Sequence, residues 1–339
     1  MKNLLFILVF FLSWCRSEYL DHIERTTTPI VSASWELYSI SGELLTLPDR
    51  SVLDRLVWDI QDAQSRIWLE TYIWTEKATQ EAIIAAQARW VDVRIILEGN
   101  VYNTPWINTD IAKKLQSAGV EFRYADNKKY TFTHIKTWII DDRVCVSTGN
   151  WSFTSFTKNR EFIFCTPDIR ILADIEEIFL SDFRGVRPYF PLGLDAHIGL
   201  APDHMRPWLE THLSQANKRI IIYNQSITDP DMLAFLEWIQ NQKDIDISLC
   251  SAYREVDESS RLSYPENLQI KTSKKPYLHA KAWLIDDDRV ILWSANLTAN
   301  ALDNNREILL HIGKNKTIFD TIYSFYDKDC HSSSLKISK

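Results

Sequence analysis

The sequence predicts two similar α/β domains, each a mixed sheet flanked by helices, related to one another by a pseudo-twofold axis. Three observations carry this expectation. A pattern beginning His-x-Lys occurs twice, 145 residues apart, in a chain with only eight histidines. Strand-like and helix-like segments alternate in the same order upstream of each copy, as an α/β sheet requires. The length, 339 residues with 45% hydrophobic content, suits two cores of ordinary size.

The amino terminus stands apart from the fold. Met1-Lys2-Asn3 is a minimal positive region, followed by the apolar run 4–12. Nine residues are too few to cross a bilayer, which needs about 20, but they fit the hydrophobic region of a signal peptide. Cleavage after Ser17 places Cys15 and Ser17 at the two positions a signal peptidase reads. Leu12-Ser13-Trp14-Cys15 alternatively resembles a bacterial lipobox with Cys15 lipidated, although Trp14 stands where a small residue is usual. Residues 1–17 are therefore expected to be a signal peptide or lipoprotein signal. The protein is expected to be exported: secreted, periplasmic or lipid-anchored, with possible association at a membrane surface.

The amino-terminal domain is expected over 30–190. Periodicity predicts helix at 49–64, strand at 66–74, helix at 76–90, buried strand at 91–98 and helix at 107–118. The segment 186–202, with Pro188, Pro191 and Pro202, reads as the linker. The carboxy-terminal domain, 195–335, repeats the order: helix at 205–216, strand at 219–223, helix at 229–242 and strand at 245–250. The two motif segments, 133–140 and 278–285, are apolar and aromatic enough to be strands.

Composition narrows the function. The net charge of −7 argues against a protein covered in phosphate contacts, although a local basic cleft is compatible with it. The five cysteines (Cys15, Cys145, Cys165, Cys250, Cys330) form no CxxC pair and do not cluster with histidines, so a zinc site is not expected. Cys145, Cys165 and Cys250 lie in strand-like runs and are expected as buried core thiols.

The chemistry lies in the repeat. His134-Ile-Lys136, closed by Asp141, matches His279-Ala-Lys281, closed by Asp286, and all six are candidate catalytic residues. Each copy is followed by a second shared block, Asn159-Arg160-Glu161 and Asn305-Arg306-Glu307, its glutamate 27 or 28 residues beyond the histidine. Along a strand, residues two apart share a face, so each copy should present an imidazole and an ammonium together. Packed about a twofold axis, the copies bring two of each to one point. Two lysines can neutralise the oxygens of a phosphodiester and favour a more anionic transition state. One histidine can attack phosphorus while the other protonates the leaving oxygen. Glu161 and Glu307 are the candidates to orient the imidazoles, as the carboxylate does in a catalytic triad. No carboxylate cluster with metal-ligand spacing accompanies them, so neither metal nor cofactor is expected.

The doubled motif resembles the HKD motif of the phospholipase D superfamily, which includes phospholipases D, cardiolipin synthases, phosphatidylserine synthases and endonucleases. The resemblance covers both halves. It implies a phospholipase D-like fold with one shared site between two domains and a covalent phosphohistidine intermediate. It also implies His134 as nucleophile and His279 as general acid. It extends to the block after each motif, Thr148-Gly149-Asn150 and Ser294-Ala295-Asn296, with Trp293 in the place of a usual glycine. By that likeness Thr148, Asn150, Ser294 and Asn296 are expected to bind substrate.

The function expected first is a phospholipase D-like phosphodiesterase on phospholipid, passing the phosphatidyl group to water or an alcohol and working as a monomer. Dedicated cardiolipin synthesis ranks below it. The alternative is an exported endonuclease cutting DNA or RNA with the same site; an inactive binding or scaffold domain ranks last. Trp138 and Trp283 share the face of the motif residues and are read as core or substrate contact. Lys128-Lys129 and Lys274-Lys275 are read as a basic rim or as solvated loop residues. The other six histidines have no motif context.

Overall fold

The computed structural model describes residues 37–190, 196–256, 264–265 and 267–332. The expected signal segment and Cys15 lie outside them. Among the described residues no helix is long and apolar enough to cross a membrane.

The first half runs β1 (Glu43–Leu47), α1 (Arg50–Asp62), β2 (Arg66–Thr71), α2 (Lys77–Ala88), β3 (Asp92–Leu97), α3 (Thr109–Ser117), β4 (Glu121–Tyr124), β5 (Lys136–Ile140), β6 (Arg143–Ser147), α4 (Phe153–Thr157), β7 (Asn159–Thr166) and α5 (Ile169–Arg184). The helices stop and start where the sequence allows. Asp49 caps α1 by accepting from the Ser51 amide, and Val52, Leu53, Leu56 and Ile60 form its buried stripe. Gly185, with positive φ, ends α5. The sheet order is β1-β7-β6-β5-β2-β3-β4. Strands β2, β3 and β4 are parallel, joined by helical crossovers, whereas β5, β6 and β7 form an antiparallel meander.

The second half repeats the plan: β8 (Ile198–Ala201), α6 (Met205–Leu213), β9 (Arg219–Asn224), α7 (Pro230–Lys243), β10 (Asp246–Ala252), β11 (Gln269–Ser273), β12 (Tyr277–Leu278), β13 (Lys281–Ile285), β14 (Arg289–Trp293), α8 (Ala299–Asp303), β15 (Glu307–Lys314), α9 (Lys316–Asp329) and β16 (His331–Ser332). Its sheet order is β16-β11-β10-β9-β13-β14-β15-β8. Both sheets are mixed and flanked by helices, as the alternation of segments predicts. One apolar core joins the halves, taking Phe162 and Phe164 from β7, Ile175 and Phe179 from α5, Leu284 from β13 and Phe319 and Ile322 from α9.

Three local features differ from the sequence reading. Residues 198–201, inside the expected linker, form β8 and extend the second sheet by pairing with β15. Strand β5 begins only at Lys136, and β13 only at Lys281, so both histidines sit in irregular backbone ahead of their strands. The thiols are also corrected. Cys145 and Cys165 face each other directly across β6 and β7 and form a disulfide, and Cys250 of β10 is bonded to Cys330 after α9. Strand register brings the first pair together, and sequence spacing alone does not reveal register.

The halves also exchange backbone. Strand β12 leaves its own sheet and pairs with β7, setting Leu278 opposite Arg160. In return Thr133 bridges to Arg306. The amide of His134 donates to the Arg306 carbonyl (2.8 Å), and that of His279 to the Arg160 carbonyl (3.3 Å). The arginines cross as well: Arg160 pairs with Asp329 of α9, and Arg306 with Asp182 of α5, each at 2.7 Å.

Candidate active site

This exchange brings each motif beside the glutamate of the opposite half. His134 Nδ1 lies 2.9 Å from Glu307 Oε1, and His279 Nδ1 lies 2.6 Å from Glu161 Oε1. Both carboxylates are fully buried, and both imidazoles line one cleft of about 420 Å3 between the halves. A carboxylate against Nδ1 holds the proton on that nitrogen and leaves Nε2 as the reactive atom.

Lys136 and Lys281 are buried completely beneath the histidines. Each ammonium donates to the carbonyl of the histidine two residues before it, and Lys281 Nζ also approaches His279 Nδ1 at 3.1 Å. Lys281 makes a further contact across the halves, to the Thr148 carbonyl at 3.3 Å.

Burial sets the protonation states. It pushes the His134 imidazole down to about 4, helped by the charges of Lys136 and Lys281 and opposed by Glu307. His279 is lowered for the same reasons. Burial drives Lys281 down to about 8 and Lys136 in the same direction. It also pushes the glutamates up, but their facing histidines, the lysines and the Thr148 and Ser294 hydroxyls outweigh it and keep both carboxyls ionised. The buried carboxyls are thus held toward the ionised form, and both imidazoles toward the neutral one.

The remaining expected site residues divide. Asn150 and Asn296 line the cleft, and their buried Oδ1 atoms have no partner in the protein. Thr148 and Ser294 are completely buried and do not belong to the cleft lining. The Thr148 hydroxyl donates to Glu161 (2.7 Å) and the Ser294 hydroxyl to Glu307 (2.5 Å), each also accepting a β-strand amide. Their expected role as substrate contacts is therefore corrected: they brace the carboxylates.

Asp141 and Asp286 also lie away from the cleft. Both have positive φ in the turns that close β5 and β13. Asp141 accepts amides from Gln64, Ser65 and Arg66, and Asp286 those of Asn217 and Lys218. At strand rise, Asp141 is roughly 16 Å beyond Lys136. These aspartates tie the motif hairpins to the start of β2 and β9, which corrects their expected catalytic placement. The motif tryptophans are core: Trp138 packs edge-on to Trp151 and Trp283 to Trp293. None of Lys128, Lys129, Lys274 and Lys275 lines the cleft.

Sequence reasoning missed three participants. Asn305 Nδ2 donates to Glu307 Oε1 (3.1 Å) and is itself held by Asn300 (3.0 Å), so the His134 carboxylate has a longer chain of support. Asn305 belongs to the repeated Asn-Arg-Glu block, a signal that was visible but had no assigned purpose. Tyr72 sets its ring edge-on to His134, with centroids 4.7 Å apart. Gly149 packs so closely on Glu161 that an added Cβ would meet its carboxyl carbon at 2.6 Å.

The family model described as "Cardiolipin synthase, PLD-like domain" matches residues 56–183 and 209–329, most of both halves. The chain belongs to this family. It is 26% identical to cardiolipin synthase B of Escherichia coli, across 80% of this chain and 77% of that protein. A shorter match, 30% identical over 130 residues, relates 37% of the chain to cardiolipin synthase 2 of Staphylococcus epidermidis. Among solved structures, phosphatidylserine synthase of Haemophilus influenzae superposes with a TM-score of 0.67 over 89% of this chain and 91% of its own, at 11% identity. Polyphosphate kinase of Porphyromonas gingivalis gives 0.68 over 85% of this chain at 17% identity, and the chain spans 46% of that kinase. These two share the PLD-like fold.

Proposed function

We propose that the protein is a phosphatidyltransferase that moves the phosphatidyl group of a phospholipid to an alcohol, and more slowly to water. The observation that carries this reading is the pair of imidazoles lining one cleft, each backed by a buried carboxylate from the opposite half, with two buried lysines close by. The sequence reading left water and alcohol open as acceptors; the likeness to cardiolipin synthase B across most of this chain favours transfer to an alcohol.

In the first step His134 Nε2 attacks phosphorus, a P–N bond forms and the P–O bond to the headgroup alcohol breaks. His279 Nε2 gives its proton to the leaving oxygen. In the second step the acceptor hydroxyl returns a proton to His279 and attacks phosphorus, and the P–N bond breaks. Charge explains how a lowered imidazole becomes the acid. An incoming phosphodiester monoanion adds negative charge beside both imidazoles, which raises their affinity for a proton and draws one onto the acid. Asn150 and Asn296 supply amides for the non-bridging oxygens.

The protein is further proposed to act outside the reducing cytosol, as a monomer. Both disulfides and the apolar run 4–12 support export. A paired assay with EDTA present tests the activity. One arm offers phospholipid with and without glycerol or ethanol, the other plasmid and single-stranded DNA. Transfer product in the first arm is expected; DNA cleavage without lipid turnover would establish the nuclease alternative instead.

A further inference from the structure

The two walls of the cleft differ in chemistry. The second half lines it with polar Gln225, Thr298 and Asn300, whereas the first contributes Ile73, Val101, Tyr102 and Phe132. Of that wall Tyr102 is 70% exposed, and Trp106, on the same segment 99–108 that joins β3 to α3, is 68% exposed.

That segment is braced. The Tyr102 amide donates to the Tyr72 hydroxyl (2.8 Å), and the Asn108 side chain donates to the carbonyls of Tyr72 (2.8 Å) and Glu98 (2.9 Å). Successive turns close from Thr104 to Val101 and from Ile107 to Thr104, each at 3.0 Å. Two large amphipathic rings are therefore held outward on a fixed support beside the reacting groups. Scattered exposed aromatics need no explanation; Tyr102 is itself part of the cleft wall, and Trp106 stands four residues on along the same braced segment. Tyr and Trp are the residues that settle where hydrocarbon meets water in a bilayer.

We propose that the segment 99–108 is the surface by which the protein docks on a phospholipid bilayer. The acyl chains of the bound lipid run along the first-half wall, and its headgroup alcohol faces the amide wall of the second half. This inference rests on the lipid reading above and adds the direction of the lipid and the point of contact.

Trp106 and Trp90 provide the test. Trp90 is 93% exposed but lies between α2 and β3, at the opposite end of β3 from the segment 99–108. The full chain, Trp106→Ser and Trp90→Ser are compared on sedimented vesicles of phosphatidylglycerol and phosphatidylcholine. Each is also compared on a short-chain phospholipid dissolved below its aggregation concentration. Trp106→Ser is expected to lose at least fivefold in vesicle binding and vesicle turnover while keeping the rate on dissolved lipid; Trp90→Ser is expected to change neither. Turnover of dissolved lipid with vesicle binding unaltered in Trp106→Ser, or equal loss in Trp90→Ser, would overturn the docking surface and leave the lipid reading standing. An unaltered protein that turns over no phospholipid in either form would remove both.

Discussion

Glu307, on the first position of β15 in the second half, lies 2.9 Å from Nδ1 of His134 in the first half, and Glu161 repeats the relation in reverse with His279. Each imidazole is thus prepared by the half that does not carry it. Glu307→Gln is expected to lower kcat by roughly 10⁴, the loss seen when an orienting carboxylate is removed from a catalytic histidine. In His279→Ala, which keeps a measurable step with an activated phosphodiester, adding Glu161→Gln should cost nothing more, whereas adding Glu307→Gln should slow adduct formation. The opposite outcome in single-turnover experiments would argue for pairing within each half.

The two histidines should separate by leaving group. A p-nitrophenyl phosphodiester departs as a stable anion and does not need the acid, whereas a headgroup alcohol does. His134→Ala is expected to be inactive on both. His279→Ala should still form a covalent adduct with the activated ester, visible by rapid quench and intact mass. Phosphate trapped on His279 in the His134→Ala protein would reverse the roles.

The pH profile follows from the buried ammonium. With Lys281 at about 8, kcat/KM should fall as pH rises through that value, because the lysine loses its charge. Lys281→Arg stays charged and should move the limb upward. Stability runs the other way. Between about 8 and the unfolded lysine value of about 10.4, the unfolded chain holds a proton that the folded one has released, so this group makes stability rise with pH. His134, at about 4 against about 6.5 unfolded, adds a second rise between those values. Thermal melts across pH 4–10 beside the activity profile check both signs.

The asparagines and the hydroxyls should part company. Asn296→Ala removes a cleft amide whose Oδ1 has no partner in the protein, and is expected to lower kcat/KM by about 10²–10³-fold with an unchanged Tm. Ser294→Ala strips a donor from buried Glu307 and an acceptor from the Ile308 amide, and should cost about 1–3 kcal/mol in denaturant unfolding as well as activity.

Reduction should destabilise without cleaving the chain. The Cys250–Cys330 bond closes a longer loop (80 residues) than Cys145–Cys165 (20). Each Cys→Ser pair is expected to lose about 2–4 kcal/mol, the longer loop somewhat more, as read from the denaturant midpoint.

Much of this was legible before any coordinates. Period and punctuation located five of the helices and six of the strands to within a few residues, because amphipathic stripes and caps are local properties. The repeat located both histidines, both lysines and both glutamates. What sequence could not give was pairing: which glutamate serves which histidine, which cysteines face each other, and that 198–201 is a strand. Those depend on register and on the crossing of β12, which are set by tertiary packing. The misassigned residues share one cause. Asp141, Asp286, Thr148 and Ser294 sit inside the motifs, and proximity in sequence to a reactive group does not tell contact from support.

The crossing of β12 has a consequence for the order in which the chain is made. Residues near the carboxy terminus complete groups near the middle: Asp329 holds Arg160, and Glu307 completes His134. A nascent chain paused after the first half carries its reactive imidazole without its carboxylate. A first half without the second is therefore expected to have far less activity than the whole, because neither His134 nor Arg160 has its carboxylate partner.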